Sequence, residues 1–326
     1  MQLDRPVFVI GHPRSGTTVL RLALTSHSAV SIPPESPFII QLLRKYRSIK
    51  SFSSADLQQF HQDLLPPPVD LSGRWDLDVD ELQRQICEIP NSDYGTVCSH
   101  IYAHYAATFD TNATIWGDKN NPYHRHVFAL KNLYPKARFI HIVRDGRAIL
   151  GSYLDLSTRL SSQAQSRPRL LTDPIKAAAN WCHSVTTVEK QLLGVPKNQR
   201  IFIRYEDLVS NFEEEMVRIC KFLNLEYESD MLRFDKIDSN RTESSNYDEW
   251  KWRTKEQLTS SRISAWRDQI SERDHGIYNA IAGNTLRKLG YSTNTQPKVP
   301  TGILAKYKLE IGSLAVSQRV RDWMYR

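Results

Sequence analysis

The chain has 326 residues and a formal net charge of +7, with 40% hydrophobic and 24% charged residues. That balance excludes a disordered, collagen-like or disulfide-scaffold protein, and no apolar run approaches the ~18 residues of a membrane span. The N-terminus lacks the apolar core of a secretory signal, and Cys87, Cys98, Cys182 and Cys220 form no metal-type spacing, so reduced thiols in a cytoplasmic protein are expected.

Pro6 to Ile10 is an apolar, β-rich run. Gly11 to Gly16 follows as a loop, and Thr17 onward has the spacing of a helix buried against a sheet. Ala29 to Ser31 predicts a short second strand. Residues 36–113 carry mostly helical patterns and predict a helical insertion. Alternation then returns, with a strand at Thr114–Trp116, a helix at Tyr123–Leu133 and a strong buried strand at Arg138–Val143. A helix at Ile175–Leu193, a strand at Arg200–Arg204 and an Asn-capped helix at Asn211–Leu223 come next. Short links between alternating elements imply a parallel sheet covered on both faces. The reading is an α/β, P-loop-like three-layer αβα fold, with residues 1–295 as one domain and 296–326 as a C-terminal extension.

The loop Gly11-His12-Pro13-Arg14-Ser15-Gly16-Thr17-Thr18 has the Gly-x-x-x-x-Gly spacing of a phosphate loop between strand and helix. Its backbone amides and the helix N-terminus form an anion site, to which the threonine hydroxyls add donors. Thr17 stands where a nucleotide P-loop carries lysine, and the cation lies inside the loop as Arg14. No strand ends in an evident Mg²⁺-binding aspartate. The loop therefore suits an anion held by arginine and backbone, and no metal site is assigned.

Arg14-Ser15-Gly16-Thr17-Thr18 after a first strand resembles the 5′-phosphosulfate loop of sulfotransferases that use 3′-phosphoadenosine 5′-phosphosulfate (PAPS). Phe139 to Arg144, with Ser152 eight residues later, is similar to that family's 3′-phosphate motif. Arg204 to Leu208 resembles its Tyr-Glu-Asp-Leu segment, which puts Tyr205 near the adenine. Ser260 to Trp266 looks like its late 3′-phosphate loop, with Arg262, although Ser264-Ala265 departs from the usual pair before the tryptophan. The resemblance spans about residues 6–290 and favours the tyrosylprotein and bacterial branches.

It implies a sulfotransferase with PAPS as co-substrate and Arg14, Ser15, Gly16, Thr17, Thr18, Arg144, Ser152, Tyr205 and Arg262 as nucleotide contacts. Lys119, in Gly117 to Pro122, matches a family lysine and joins Arg14 in stabilising the leaving phosphate. Glu35, on the Pro33-Pro34 segment, matches a glutamate general base; a helix-capping role before Phe38 is its plain alternative. His12 and His141 are the fallback bases. The acceptor is read as a small molecule with a hydroxyl or an amine, with carbohydrate, peptide tyrosine and lipid left open as other classes. A P-loop small-molecule kinase and a non-catalytic nucleotide-binding protein of the same fold are the rivals. Asp155 to Arg169 is read as a mobile loop over the site, and the acid-rich Glu226 to Glu249 as a solvated face. Seven Lys/Arg against one acid between Lys119 and Arg147 make the positive charge a nucleotide footprint rather than a nucleic-acid surface.

Overall fold

In the computed structural model the described residues are 3–89, 91–110, 112–159, 170–237, 259–293 and 300–325. β1 (Val7–Ile10) leads into α1 (Thr17–Thr25) and β2 (Val30–Ser31). Five helices follow before the next strand: α2 (Phe38–Tyr46), α3 (Ser54–Leu64), α4 (Leu71–Trp75), α5 (Val79–Cys87) and α6 (Tyr94–Phe109). β3 (Ile115–Asp118), a 3₁₀ turn (Asn121–Arg125), α7 (Val127–Leu133), β4 (Arg138–Val143), α8 (Gly146–Arg159), α9 (Pro174–Leu192) and β5 (Arg200–Arg204) complete the sheet region. The chain continues through α10 (Tyr205–Ser210), α11 (Phe212–Leu223), α12 (Ser261–Ser264), α13 (Trp266–Gln269), α14 (Glu272–Lys288) and α15 (Thr301–Met324).

The five strands among the described residues are parallel, in the order β2-β3-β1-β4-β5. Alternate residues of β1 enter two different cores. Phe8 and Ile10 pack with α2 to α7 and part of α9, while Val7 and Val9 pack with α1, α10 and α11. Burial on both faces explains why these strands read as unbroken apolar runs, and it makes the three layers. A third cluster joins α8, α9 and α14 around Trp181 and Tyr278. Strand order reverses at β1, so the loops at the C-terminal ends of β1, β3 and β4 open into one crevice, the usual ligand position in such sheets.

The predicted helix at Tyr123–Leu133 is broken. A 3₁₀ turn with Pro122 in its first positions ends at His126 (φ −128°), and α7 starts one residue later. β3 runs two residues beyond the predicted Trp116. Its Gly117 is required, because a Cβ there would lie 2.6 Å from the Val7 carbonyl oxygen on β1. The extension forms the 24-residue α15, packed along α9. Positions 160–169 of the predicted mobile loop and 238–249 of the acid-rich stretch lie outside the described residues. Among the described residues no helix is long and apolar enough to cross a membrane.

Four histidines are kept neutral by burial. His12 and His126 are pushed down to about 4, His141 to about 3, and His124 well below its ordinary range. Each folded value lies beneath the unfolded one, so the unfolded chain binds more protons as pH falls from 6.5 toward 4, and stability drops through that window. These four groups contribute at most roughly 5 kcal/mol per pH unit to that slope. Urea unfolding across this range is expected to show the loss, and His141→Phe to remove about one proton from the slope. An unchanged slope in that variant would contradict a buried neutral His141.

Candidate active site

The loop after β1 turns sharply. Arg14 has φ 72° and Gly16 φ 90°, both left-handed. For arginine that conformation costs roughly 1–2 kcal/mol and is kept only where surroundings impose it. The Ser15 amide donates to the His12 carbonyl at 3.1 Å and closes the turn. Gly16 admits no side chain, since a Cβ would stand 2.5 Å from the Tyr205 ring. Tyr205, which opens α10, therefore packs directly against the loop. Among the described residues no side chain caps α1, which leaves the positive end of its dipole at the loop.

Arg144, at the end of β4, ties the motifs together. Its guanidinium donates to the carbonyls of Arg14 and Arg262, each at 3.1 Å, and lies 4.4 Å from the Tyr205 ring centroid. Arg14 Nε donates to Ser152 Oγ at 3.1 Å. Asp145 pairs with Arg147 (2.7 Å) rather than with Arg144. Arg14, Ser15, Gly16, Arg144, Ser152, Tyr205 and Arg262 thus share one corner, although they derive from four separate stretches of sequence. Ser15 Oγ and Arg144 Nε are buried there without a hydrogen-bond partner among the described residues. Buried donors of this kind require an acceptor, and a doubly phosphorylated nucleotide supplies several, so this corner fits that ligand.

The second half of the site lies one strand over. Lys119 follows β3 directly and is almost fully buried. Its Nζ donates to Thr18 Oγ1 at 2.9 Å and forms an ion pair with Glu35. The lysine that the loop lacks at position 17 is thereby delivered from a neighbouring strand. Thr17 is buried at the start of α1.

The helical insertion fixes Glu35. Trp75 Nε1 donates to the Pro34 carbonyl at 2.8 Å, and Arg74 donates to the Glu35 carbonyl at 3.2 Å. Asn120 bonds both the Ser36 carbonyl (3.1 Å) and Asp118 (2.8 Å). Asp118 is buried and also accepts from the Tyr102 hydroxyl at 2.5 Å; burial raises its carboxyl to about 7. Asn121 Nδ2 reaches the second Glu35 oxygen at 3.1 Å. Asn121, Arg74 and Trp75 were not among the residues expected from sequence. Asn121 stands two positions after Lys119 in the same short segment, whereas Arg74 and Trp75 belong to an insertion without a readable motif.

The fallback histidines are placed differently. His12 Nδ1 donates to the Pro13 carbonyl at 2.8 Å, and its ring lies 5.7 Å from His124. Burial holds both rings neutral. His141 meets the Phe202 ring and lines a groove of about 610 Å³ to which none of the loop residues contributes. Among the described residues no cluster of His, Cys, Asp and Glu suits a metal ion.

The sulfotransferase family profile matches residues 6–229. Among curated proteins, the chain is 22% identical over 292 residues to protein-tyrosine sulfotransferase A of Caenorhabditis elegans, covering 89% of this chain and 68% of that protein. It is 24% identical over 327 residues to nodulation protein NoeE of Sinorhizobium fredii, covering 96% and 71%. Two solved structures share the fold. The sulfotransferase domain of the Synechococcus PCC 7002 olefin synthase has a TM-score of 0.60 at 19% identity, over 89% of this chain and 95% of that one. The sulfotransferase domain of the curacin biosynthetic pathway has 0.58 at 18%, over 88% and 98%.

Proposed function

This chain belongs to the sulfotransferase family and is a PAPS-dependent sulfotransferase (EC 2.8.2.-); on that premise we propose that it sulfates a hydroxyl or amine of a small-molecule acceptor, using Glu35, Lys119 and Arg14. The observation that carries the proposal is the contact of Lys119 with both Thr18 of the phosphate loop and the Glu35 carboxylate. One cation thereby joins the place where negative charge leaves to the group that takes the acceptor's proton. PAPS supplies the sulfuryl group. Glu35 takes the proton from the acceptor as the new S–O or S–N bond forms and the sulfur–phosphate oxygen bond breaks. Lys119 and Arg14 meet the charge that develops on the departing phosphate, in a site where buried donors need no reorganisation.

Ser15, Gly16, Thr17 and Thr18 hold the 5′-phosphate end in this reading. Arg144, Ser152 and Arg262 hold the 3′-phosphate, and Tyr205 packs near the adenine. Residues 1–295 act as one domain with a helical insertion, and the four free cysteines support a reducing, cytoplasmic setting. A second acceptor class, a peptide tyrosine, is favoured by the similarity to protein-tyrosine sulfotransferase A. A mass-spectrometric screen for added sulfuryl groups, run on small-molecule and tyrosine-peptide libraries in parallel, separates the two.

Calorimetry tests the nucleotide site. Adenosine 3′,5′-bisphosphate is expected to bind, ATP–Mg²⁺ to bind poorly, and Arg144→Ala to weaken bisphosphate binding about 10- to 100-fold, as for lost charge-assisted hydrogen bonds. Tight ATP binding without bisphosphate binding would refute the site assignment.

A further inference from the structure

The C-terminal helix α15 has an inverted pattern. Leu309, Val316, Val320 and Trp323 are exposed, whereas Gln318 is its one buried residue among those described, at 6% exposure. A buried amide is tolerated only when its hydrogen-bonding capacity is met, and here it is. Gln318 Nε2 donates to the Arg125 carbonyl at 2.8 Å and to Asp322 Oδ1 at 2.9 Å, and Gln318 Oε1 accepts from Arg321 at 3.1 Å. Asp322 Oδ1 also accepts from Gln191 of α9 at 3.0 Å, and Gln191 Oε1 accepts from the Phe128 amide at 3.2 Å. The Tyr325 carbonyl accepts from Asn132 at 3.3 Å. The end of α15 thus grips the backbone on both sides of His126, where the 3₁₀ turn breaks into α7.

That turn leads to the active site. Arg125 Nε donates to His124 Nε2 at 3.1 Å, so the other ring nitrogen, Nδ1, carries the proton and donates to the Asn121 carbonyl at 2.7 Å. Asn121 in turn donates to Glu35 at 3.1 Å. A continuous set of hydrogen bonds therefore runs from Gln318 through Arg125, His124 and Asn121 to the carboxylate, across 193 residues of sequence between Gln318 and Arg125.

We infer that Gln318 is a positioning residue: by holding the Arg125 carbonyl, the C-terminal helix braces the Asn121–Arg125 turn and sets the orientation of Glu35. The inference rests on the reading of Glu35 as the base. A purely structural role for α15 predicts lost stability alone. A positioning role predicts loosening confined to the turn and a rate effect transmitted through Glu35.

The test uses the full-length chain carrying Gln318→Leu, which keeps bulk but not hydrogen bonds, and Gln318→Glu, whose carboxylate cannot donate to the Arg125 carbonyl. Hydrogen exchange of the amides in 121–128 is expected to accelerate about tenfold in both, as for one lost buried hydrogen bond. β4 and the phosphate loop are expected to stay protected. With PAPS and 2-naphthol as the probe acceptor, kcat is expected to fall about 5- to 10-fold while the Kd for adenosine 3′,5′-bisphosphate changes less than about twofold. In a Glu35→Gln background the Gln318 substitutions are expected to add almost nothing, since both act through one carboxylate. Unchanged exchange in 121–128 would overturn the brace, and so would full additivity with Glu35→Gln. If Glu35→Gln alone keeps full activity, the base assignment falls, and the brace is then decided by exchange: lost protection in 121–128 supports it and intact protection overturns it.

Discussion

Lys119→Ala is expected to lower kcat by roughly 10²–10³ while leaving the Kd for adenosine 3′,5′-bisphosphate within a few-fold. The asymmetry follows from where the ammonium stands. It touches Thr18 at the phosphate loop and the Glu35 carboxylate, and the charge it meets grows only as the sulfur–oxygen bond breaks. Interactions stronger in the transition state than in the bound ground state appear in kcat, not in nucleotide affinity. The substitution also removes one partner of a buried ion pair, a change that costs about 3–5 kcal/mol of stability in comparable sites. Bisphosphate binding therefore doubles as the proof that the variant is folded. Near-normal turnover in that folded variant would end the assignment of Lys119 to the leaving group.

Glu35→Gln is expected to lower kcat by about 10²–10⁴, with a dependence on acceptor acidity that a positioning defect would not produce. The amide matches the carboxylate in shape, and the carbonyl contacts from Trp75 and Arg74 do not involve the side chain. What the variant loses is the ability to accept a proton, together with the charge that pairs with Lys119. An acidic phenol such as 4-nitrophenol needs less help than an aliphatic alcohol, so the deficit is expected to shrink along that series. A rate unchanged at saturating acceptor would remove Glu35 as the base. A uniform deficit across acceptors would reassign it to binding.

The parts of this site that could be read from sequence are those where one short segment carries both the strand and its loop. Gly11 to Thr18 announces an anion site because backbone geometry alone makes one, and Arg144 stands at the end of an unmistakable buried strand. The Lys119–Thr18 contact spans 101 residues, and no local pattern encodes it; only family resemblance brought the two together. Arg74 and Trp75 grip the Glu35 segment from within an insertion whose helical periodicity specifies burial but not partners. The packing of α15 has no sequence signal, because its large apolar residues are exposed and a glutamine is buried. The break at His126 has none either, since the apolar spacing continues smoothly across it.

The strand order has a kinetic consequence. Among the described residues no strand pairs with a partner joined by a tight turn: Val30 meets Ile115, and Phe8 meets both Asp118 and Phe139. Loop-closure entropy rises only logarithmically, so closures of roughly 60 to 130 residues differ by about 0.7 kcal/mol. Chain connectivity therefore ranks these pairings weakly, and the helices, which form locally, take shape first. Arg14, Glu35, Lys119 and Arg144 follow four different strands and meet only when β1, β2, β3 and β4 are all in register. On refolding, helical signal returns early and catalytic competence last. A chain caught between the two would look nearly native by circular dichroism and yet be unable to move a sulfuryl group.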